Sequence, residues 1–550
     1  MHLSYVLTFL FASYILRCSA VLPSTFVSVQ YNHATGTFVI LEEMLSGAAA
    51  WANYTDDVQN TGWSHLTVNT NPDYDDNVQA YAAGLVEGYI TAGPIYMHWV
   101  NTMSSYCLEK TDYCNRLQTF INTNMEWLSD KIKNNPDDAY FHQAELLLMQ
   151  LAGLQDGYTN RSSQPRLEVN PFGFLLLQIS GDLEDLEVAL DKPDRNPVFG
   201  SGSCSALIKL LPGNKDIYVS HDTWSVYNSM IRIVKKYDFA FRKVSKGKEA
   251  IPGHVMSFSS YPGVLYSGDD FYIMNTGLVT LETTIGNSNP ILFKYIKPED
   301  HMFEMFRNVI ANRLATAGEQ WGDIFALYNM GTYNNQWMVV NYNEFTPGKP
   351  LPDEGVLYVL EQIPGMTVGQ DLTKHLKDTQ YWPSYNIPYF QEIFNTSGCR
   401  ENVEKYGDWF SYDKSPRANI FRRDHVKVQD MDSMIRLMRY NNFKEDPLSR
   451  CDKCNPAYSA ENAIAARSDL NPINGSYPFG ALGHRCHGAT DMKVTSYSMQ
   501  KTLSMIAQCG PTTDQQPAFQ WSTSDYNEKL LHLGQPDVFD FKPVKVDWQN

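Results

Sequence analysis

From Asn77 to Tyr106 the apolar residues recur at helical spacing, through Tyr81, Leu85, Val86, Tyr89 and Ile90, and Gly93-Pro94 predicts a break in the run. A second helix is predicted over 140–154: the Asp residues of Asn135-Pro136-Asp137-Asp138 can cap its start, and Gly153 and Gly157 stand near its end. His142, Gln143 and Glu145, polar residues on this largely apolar element, read as satisfied core or interface groups. The nearly continuous apolar run 172–179, bounded by Pro171 and Gly181, predicts a buried strand or helix segment. Further on, 279–284, 336–341 and 355–360 read as strands, and Pro298-Glu299-Asp300 ahead of Phe303 predicts a helix over 303–314. Strands and helices interleave without a glycine-rich dinucleotide fingerprint, which predicts a layered fold mixing α and β.

The pattern changes over 191–203, where Pro193, Pro197, Gly200 and Gly202 mix with charge and almost nothing is left to bury. This stretch reads as an exposed linker, a favoured place for chain cleavage. Immediately after it, Cys204-Ser205-Ala206-Leu207-Ile208-Lys209-Leu210-Leu211 is strand-like, Pro212-Gly213-Asn214-Lys215 makes a turn, and Ile217-Tyr218-Val219 starts the return. Antiparallel pairing about that turn places Cys204 opposite a residue between 221 and 223, so that a thiol and the imidazole of His221 are expected to meet at one end of a sheet, with Asp222 beside them.

The ends of the chain and its cysteines speak to compartment. Val6 to Leu16 is largely apolar and is followed by Arg17-Cys18-Ser19-Ala20, which reads as a signal peptide cleaved after Ala20. No later stretch reaches the roughly eighteen apolar residues of a spanning helix. The sequons at Asn53, Asn160, Asn395 and Asn474 then imply a glycoprotein, with these sites on surface loops. Cys107 and Cys114 flank a short polar loop and can close a local bridge. Cys451 and Cys454 form a C-x-x-C; in an oxidising compartment a disulfide is favoured there over a zinc site completed by His484, Cys486 and His487. His484 and His487 read as loop residues, and Cys399, Cys486 and Cys509 have no evident partner.

Composition narrows the function classes. With 43% apolar and 13% aromatic residues in 550, the chain has ample material for a core, and general disorder is excluded. A net charge of −17 lacks the basic footprint of a nucleic-acid binder. The serine-hydrolase elbow G-x-S-x-G, the Walker A loop and H-E-x-x-H are absent from the sequence. What remains well posed is a cysteine hydrolase. Cleavage ahead of Cys204 would leave its thiol beside a new α-amine that titrates near neutrality and can act as general base. Read for packing alone, Cys204 is a small buried residue opening a strand.

Cys204-Ser205-Ala206-Leu207-Ile208-Lys209 followed by His221-Asp222-Thr223-Trp224 resembles the phospholipase B-like family of N-terminal nucleophile hydrolases. So do Ser259-Ser260-Tyr261-Pro262-Gly263 with Asp269-Asp270-Phe271-Tyr272, Gly331-Thr332-Tyr333-Asn334-Asn335-Gln336-Trp337, Tyr381-Trp382-Pro383-Ser384-Tyr385-Asn386 and Ser415-Pro416-Arg417-Ala418-Asn419. The resemblance runs from about Gln79 to near the C-terminus. It implies an α+β fold, an αββα sandwich of the N-terminal nucleophile hydrolase type, and a precursor that cuts itself between Ser203 and Cys204. The chain then divides into signal peptide 1–20, N-terminal fragment 21–190, linker 191–203 and C-terminal fragment 204–550, the two fragments remaining associated as one composite hydrolase domain.

By the same resemblance Cys204 is the nucleophile, with His221, Trp224, Thr284, Asn386 and Arg417 around it. Asn386 is expected to donate to an oxyanion, Arg417 to hold an anionic group or the new terminus, and His221 and Trp224 to shape the pocket and the thiol's acidity. The implied activity is acyl hydrolysis of phospholipids or related acylated lipids in the lysosome lumen or after secretion, with peripheral membrane contact and neither cofactor, metal nor nucleic acid. The alternatives are a lipid amidase of the same fold, a self-cleaved lipid-binding glycoprotein without turnover, and a papain-like Cys/His protease working in an uncut chain.

Overall fold

Strand Cys204–Leu210 is buried along its whole length, and its alternate side chains enter different cores. Ala206, Ile208 and Leu210 pack with Ile273, Val279, Leu281, Met338 and Val340 of a facing sheet, while Leu207 packs on the other side with Ile420, Phe421, Met434 and Leu437. A strand buried at every position, even at Ser205 and Lys209, has a layer on both faces. The facing sheet repeats the pattern: Trp337 and Val339 leave the inter-sheet core for a third one shared with Ala83, Val86, Leu147, Leu154 and Phe306. The layers therefore run helix, sheet, sheet, helix.

The computed structural model describes residues 24–161, 163–167, 172–193, 198, 200 and 202–548. The predicted signal peptide 1–20 lies outside them, as do 194–197, 199 and 201 of the predicted linker. Among these residues the larger sheet has eleven strands, in the order Met366–Asp371, Leu357–Ile363, Asn335–Asn341, Leu278–Thr284, Phe271–Met274, Val255–Ser260, Arg232–Asp238, Trp63–Thr70, Ala50–Asp57, Thr25–Asn32, Thr37–Leu41. Its pairings are antiparallel except between Trp63–Thr70 and Arg232–Asp238, where chain from either side of residue 204 runs in parallel. The smaller sheet orders Tyr381–Ser384, Cys204–Leu210, Ile217–Val226, Asp491–Thr495, Met505–Cys509 and Val544–Val546, and His487–Ala489 also pairs with Ile217–Val226.

The predicted strands and the helix near 303 appear as Leu278–Thr284, Asn335–Asn341, Leu357–Ile363 and Glu304–Leu314. Asp138 caps helix Ala139–Asn160, its side chain accepting from the backbone N–H of Tyr140 and Phe141. Two details differ from the sequence reading. The break in the first helical run falls at Thr91, between Asp76–Ile90 and Ala92–Thr102, so Gly93-Pro94 sits in a first turn, where proline's missing donor is harmless. Gly153 and Gly157 do not end their helix; Cβ atoms there would overlap the Tyr81 and Leu85 carbonyls of the neighbouring helix, so the glycines permit close approach. The run 172–179 resolves as a short helix, Leu175–Gln178. His142 is a core group but only half satisfied: its Nε2 stands 2.9 Å from Asp76, while its buried Nδ1 has no partner.

Disulfides join Cys107 to Cys114 and Cys451 to Cys454; Cys204, Cys399, Cys486 and Cys509 are free. Of the sequons, Asn474 lies in an exposed turn, and Asn160 and Asn395 are exposed on helix ends. Asn53 departs from the surface-loop expectation: it pairs with both Phe26 and Thr67 inside the large sheet, and its amide oxygen is buried. No helix among the described residues is long and apolar enough to cross a membrane.

Candidate active site

Pro212-Gly213-Asn214 reverses the chain after the first strand of the hairpin, with Gly213 at φ 72° and Asn214 at φ 53°, left-handed conformations that glycine and asparagine accept readily. The return strand pairs Cys204 with Thr223, Ser205 with Asp222 and Ala206 with His221. Thr223 is thus the residue opposite Cys204, inside the expected interval. Opposed residues share a face, so Cys204, Thr223 and His221 look into the core between the sheets, and Asp222 looks towards the helices.

Thiol and imidazole come to the same face without bonding to each other. They are offset diagonally by two residues, and His221 Nε2 stands 2.8 Å from the Glu282 carbonyl, while its Nδ1 has no partner. Burial, reinforced by the positive charge of Lys493, drives the His221 ring well below the usual imidazole range, so it is neutral. Burial pushes the Cys204 thiol well up; Glu282 and Asp270 act in the same direction, against the Trp224 backbone N–H and Lys493. In the uncut chain Cys204 is a protonated thiol with its nitrogen locked in a peptide bond.

That peptide bond is held from several sides. The Trp224 backbone N–H donates to the Ser203 carbonyl at 2.5 Å. Arg417 Nη1 donates to the Cys204 carbonyl at 2.6 Å, and Asn386 Oδ1 accepts from the Ser203 N–H at 3.2 Å and from Arg417 Nη2 at 2.7 Å. The Asn386 amide donates in turn to the Thr284 carbonyl at 2.7 Å. The Arg417 guanidinium also lies 4.2 Å over the Trp224 ring. Its burial lowers it to about 10, still fully charged. Asn386 adopts φ 69°, which asparagine tolerates better than most residues.

Below the thiol the two sheets are tied by charges to which the sequence reading assigned no role, although Asp269 lies in one of the motifs that carry the family resemblance. Lys493 Nζ donates to Thr223 Oγ1 at 2.6 Å, to Asp491 at 2.8 Å and to Asp269 at 3.1 Å, and Arg232 reaches Asp491 at 2.6 Å and also Asp269. All four ionic side chains are fully buried. Nearby, Tyr333 OH donates to Asp270 at 2.8 Å and stands 3.2 Å from Glu282; burial and mutual repulsion hold this carboxyl pair above the usual range, so it retains a proton.

A cavity of about 830 Å³ borders this peptide. Ser203, Trp224, Thr284, Asn386 and Arg417 line it; Cys204 and His221 do not. Phe293, Ile285, Ile387 and Phe410 make part of the wall apolar. Ser415, Glu461 and His487 also line it. His487, read from sequence as a loop residue, instead opens strand His487–Ala489. His484 and Cys486 form no metal cluster with it, and none occurs among the described residues.

A model of the phospholipase B family matches residues 50–546, nearly the whole chain. The chain is 54% identical over 527 residues to phospholipase B-like 2 of Homo sapiens, an activity its name states only provisionally, covering 95% of this chain and 89% of that protein. It is 46% identical to phospholipase B-like 1 of Caenorhabditis elegans, whose name is equally provisional, over 92% of this chain and 89% of that one. To phospholipase B-like protein B of Dictyostelium discoideum it is 38% identical, over 94% and 88%. The chain belongs to the phospholipase B-like family.

Proposed function

We propose that this protein is a self-processing acyl hydrolase of the N-terminal nucleophile type, acting on phospholipids or related acylated lipids in a lysosomal or extracellular setting. The observation that carries the reading is the clamp on the Ser203–Cys204 peptide: a backbone N–H already sits on the carbonyl oxygen that becomes negative when the neighbouring thiol attacks. In the cutting step Cys204 Sγ bonds to the Ser203 carbonyl carbon, the C–N bond breaks, and the thiol proton finishes on the Cys204 nitrogen. Water then hydrolyses the thioester, leaving a Ser203 carboxylate, a free thiol and a free α-amine. The same Trp224 N–H, vacated by Ser203, receives the oxyanion of an incoming acyl group, and the α-amine replaces the missing base. Asn386 is committed to Thr284 and Arg417 in the uncut chain, so its part in this reading is to hold the ends of the cut rather than to meet the first oxyanion.

The helix–sheet–sheet–helix layering and the apolar cavity wall support the fold and the substrate class. The parallel pairing of Trp63–Thr70 with Arg232–Asp238 supports two pieces remaining together after the cut. A lipid amidase is the second reading, because the one acyl bond seated against these groups, Ser203–Cys204, is itself an amide. N-terminal sequencing of the purified protein tests the processing step: a chain beginning at Cys204 is expected, and Cys204→Ala is expected to remain one chain. Matched ester- and amide-linked lipids, incubated side by side at acidic pH with the processed protein, separate lipase from amidase. A processed protein that releases fatty acid from neither is a lipid-binding glycoprotein instead.

A further inference from the structure

The cavity lining includes buried polar atoms that have no partner among the described residues. They are Trp224 Nε1, Ser415 Oγ, Glu461 Oε1 and His487 Nδ1, on side chains 3%, 4%, 2% and 9% exposed. Most buried polar atoms in proteins are bonded, because leaving one dry is costly. Their convergence follows from the fold. Strand His487–Ala489 pairs with Ile217–Val226 so that His487 and Trp224 share a face, and Ser415 stands two residues before Arg417, whose guanidinium covers Trp224. Glu461 joins them through Arg485, which is 3.0 Å from its other oxygen.

The chemistry of the set selects its ligand. Glu461 is matched by Arg485, and burial, with Arg485 nearby, keeps the His487 ring neutral, so the four side chains offer a ligand no net charge beyond that of the Arg417 guanidinium over Trp224. It offers an indole donor, a hydroxyl that works both ways, a carboxylate acceptor and a neutral imidazole. A phosphate would be drawn to Arg417 but accepts only, so it leaves the Glu461 Oε1 atom without a donor. A quaternary ammonium has no N–H to give. A primary ammonium donates only, leaves the indole N–H unserved and meets the Arg417 guanidinium. Hydroxyl groups donate and accept, and two adjacent ones serve both kinds of atom.

We infer that the part of the cavity framed by Trp224, Ser415, Glu461 and His487 is a headgroup subsite that takes the hydroxyls of an uncharged polyol, a glycerol, inositol or sugar group, on the acylated substrate. The inference rests on the acyl-hydrolase reading for the word substrate but not for the binding. Trp224 places the subsite beside the scissile carbonyl, since its own backbone N–H holds the Ser203 oxygen. Ser415, Glu461 and His487 are then specificity-determining positions.

Trp224 and Trp409 both line the cavity, so tryptophan fluorescence reports binding without hydrolysis. The purified wild-type protein is titrated with glycerophospho-myo-inositol, glycerophosphocholine and methyl glucoside. Glycerophosphoinositol is expected to bind about tenfold more tightly than glycerophosphocholine, and Ser415→Ala and Glu461→Gln are each expected to weaken the inositol probe about fivefold to tenfold while leaving the choline probe unchanged. Ser415 Oγ caps no helix N–H, so its removal spares the fold even if Glu461→Gln does not. Tight methyl glucoside binding assigns the polyol to a glycolipid; weak binding beside tight glycerophosphoinositol assigns it to a phospholipid. Equal affinity for the inositol and choline probes, or variants that leave the inositol affinity unchanged, overturns the inference. Polyol binding without lipid hydrolysis upholds the subsite and removes the hydrolase reading; hydrolysis indifferent to headgroup does the reverse.

Discussion

Arg417 is the residue on which the two halves of the 203/204 clamp meet. One arm of its guanidinium bonds the Cys204 carbonyl and the other bonds the Asn386 amide oxygen that also receives the Ser203 N–H. Lysine keeps the charge but offers one compact ammonium in place of a rigid fork, and cannot span both acceptors. A hydrogen bond to a charged group contributes about 1.5–3 kcal/mol, so Arg417→Lys is expected to slow cleavage by roughly 10- to 100-fold. The time course of appearance of a chain beginning at Cys204, followed after synthesis, checks it. An unchanged rate would leave Arg417 a structural partner of Trp224. Cys204 and His221 are legible in the sequence because a local turn fixes their register. Lys493, Asp269 and Arg232 are not, since three distant segments supply them and each alone reads as an ordinary surface charge.

At the scale of elements, helices Asp76–Ile90 and Ala139–Asn160 touch backbone to backbone through Gly84, Gly88, Gly153 and Gly157. Two physical effects of replacing such a glycine have opposite sign. Alanine favours a helix interior over glycine by about 1 kcal/mol. Forcing a methyl group into closed packing costs about 1–3 kcal/mol, and here a Cβ at Gly88 would overlap the Leu154 carbonyl, a backbone atom that cannot swing aside. The overlap is with backbone, so packing wins, and Gly88→Ala is expected to lower stability by up to about 2 kcal/mol, read as a lower Tm; a rise would mean that the helices stand apart. The same elements show why the sequence is only partly legible. Periodicity marks each helix and the cap at Asp138, but a glycine needed for contact is indistinguishable, along the chain, from one that ends a helix. The hairpin is the opposite case, because its turn, register and burial all follow from about twenty consecutive residues.

Across the whole molecule the buried carboxyls give stability a definite pH dependence. Burial raises Asp182 to about 6 and Glu361 to about 7, and burial with the neighbouring Glu184 charge raises Asp185 to about 8. Burial also raises Asp222, Glu304 and the Asp270–Glu282 pair. A carboxyl whose folded pKa lies above its unfolded value binds more protons folded than unfolded. Its contribution is complete below about pH 4 and is lost as pH rises through the folded value. Opposing this, burial lowers His98 to about 3 and His425 to about 4 and depresses His221 and His487. These rings are neutral when folded and charged when unfolded below about pH 6.5, so they weaken the fold on the acid side. As pH rises above that value the histidines lose their effect and the carboxyls dominate, each able to remove about 1.4 kcal/mol per pH unit while it titrates, until Lys209, lowered by burial to about 8, begins to oppose them. Thermal unfolding of Cys204→Ala, which the proposed processing step would leave as one chain, is therefore expected to give a higher Tm at pH 6 than at pH 8, with the fall concentrated between 6.5 and 8. A flat profile, or greater stability at pH 8, would show that these carboxyls are ionised and solvated in the folded protein.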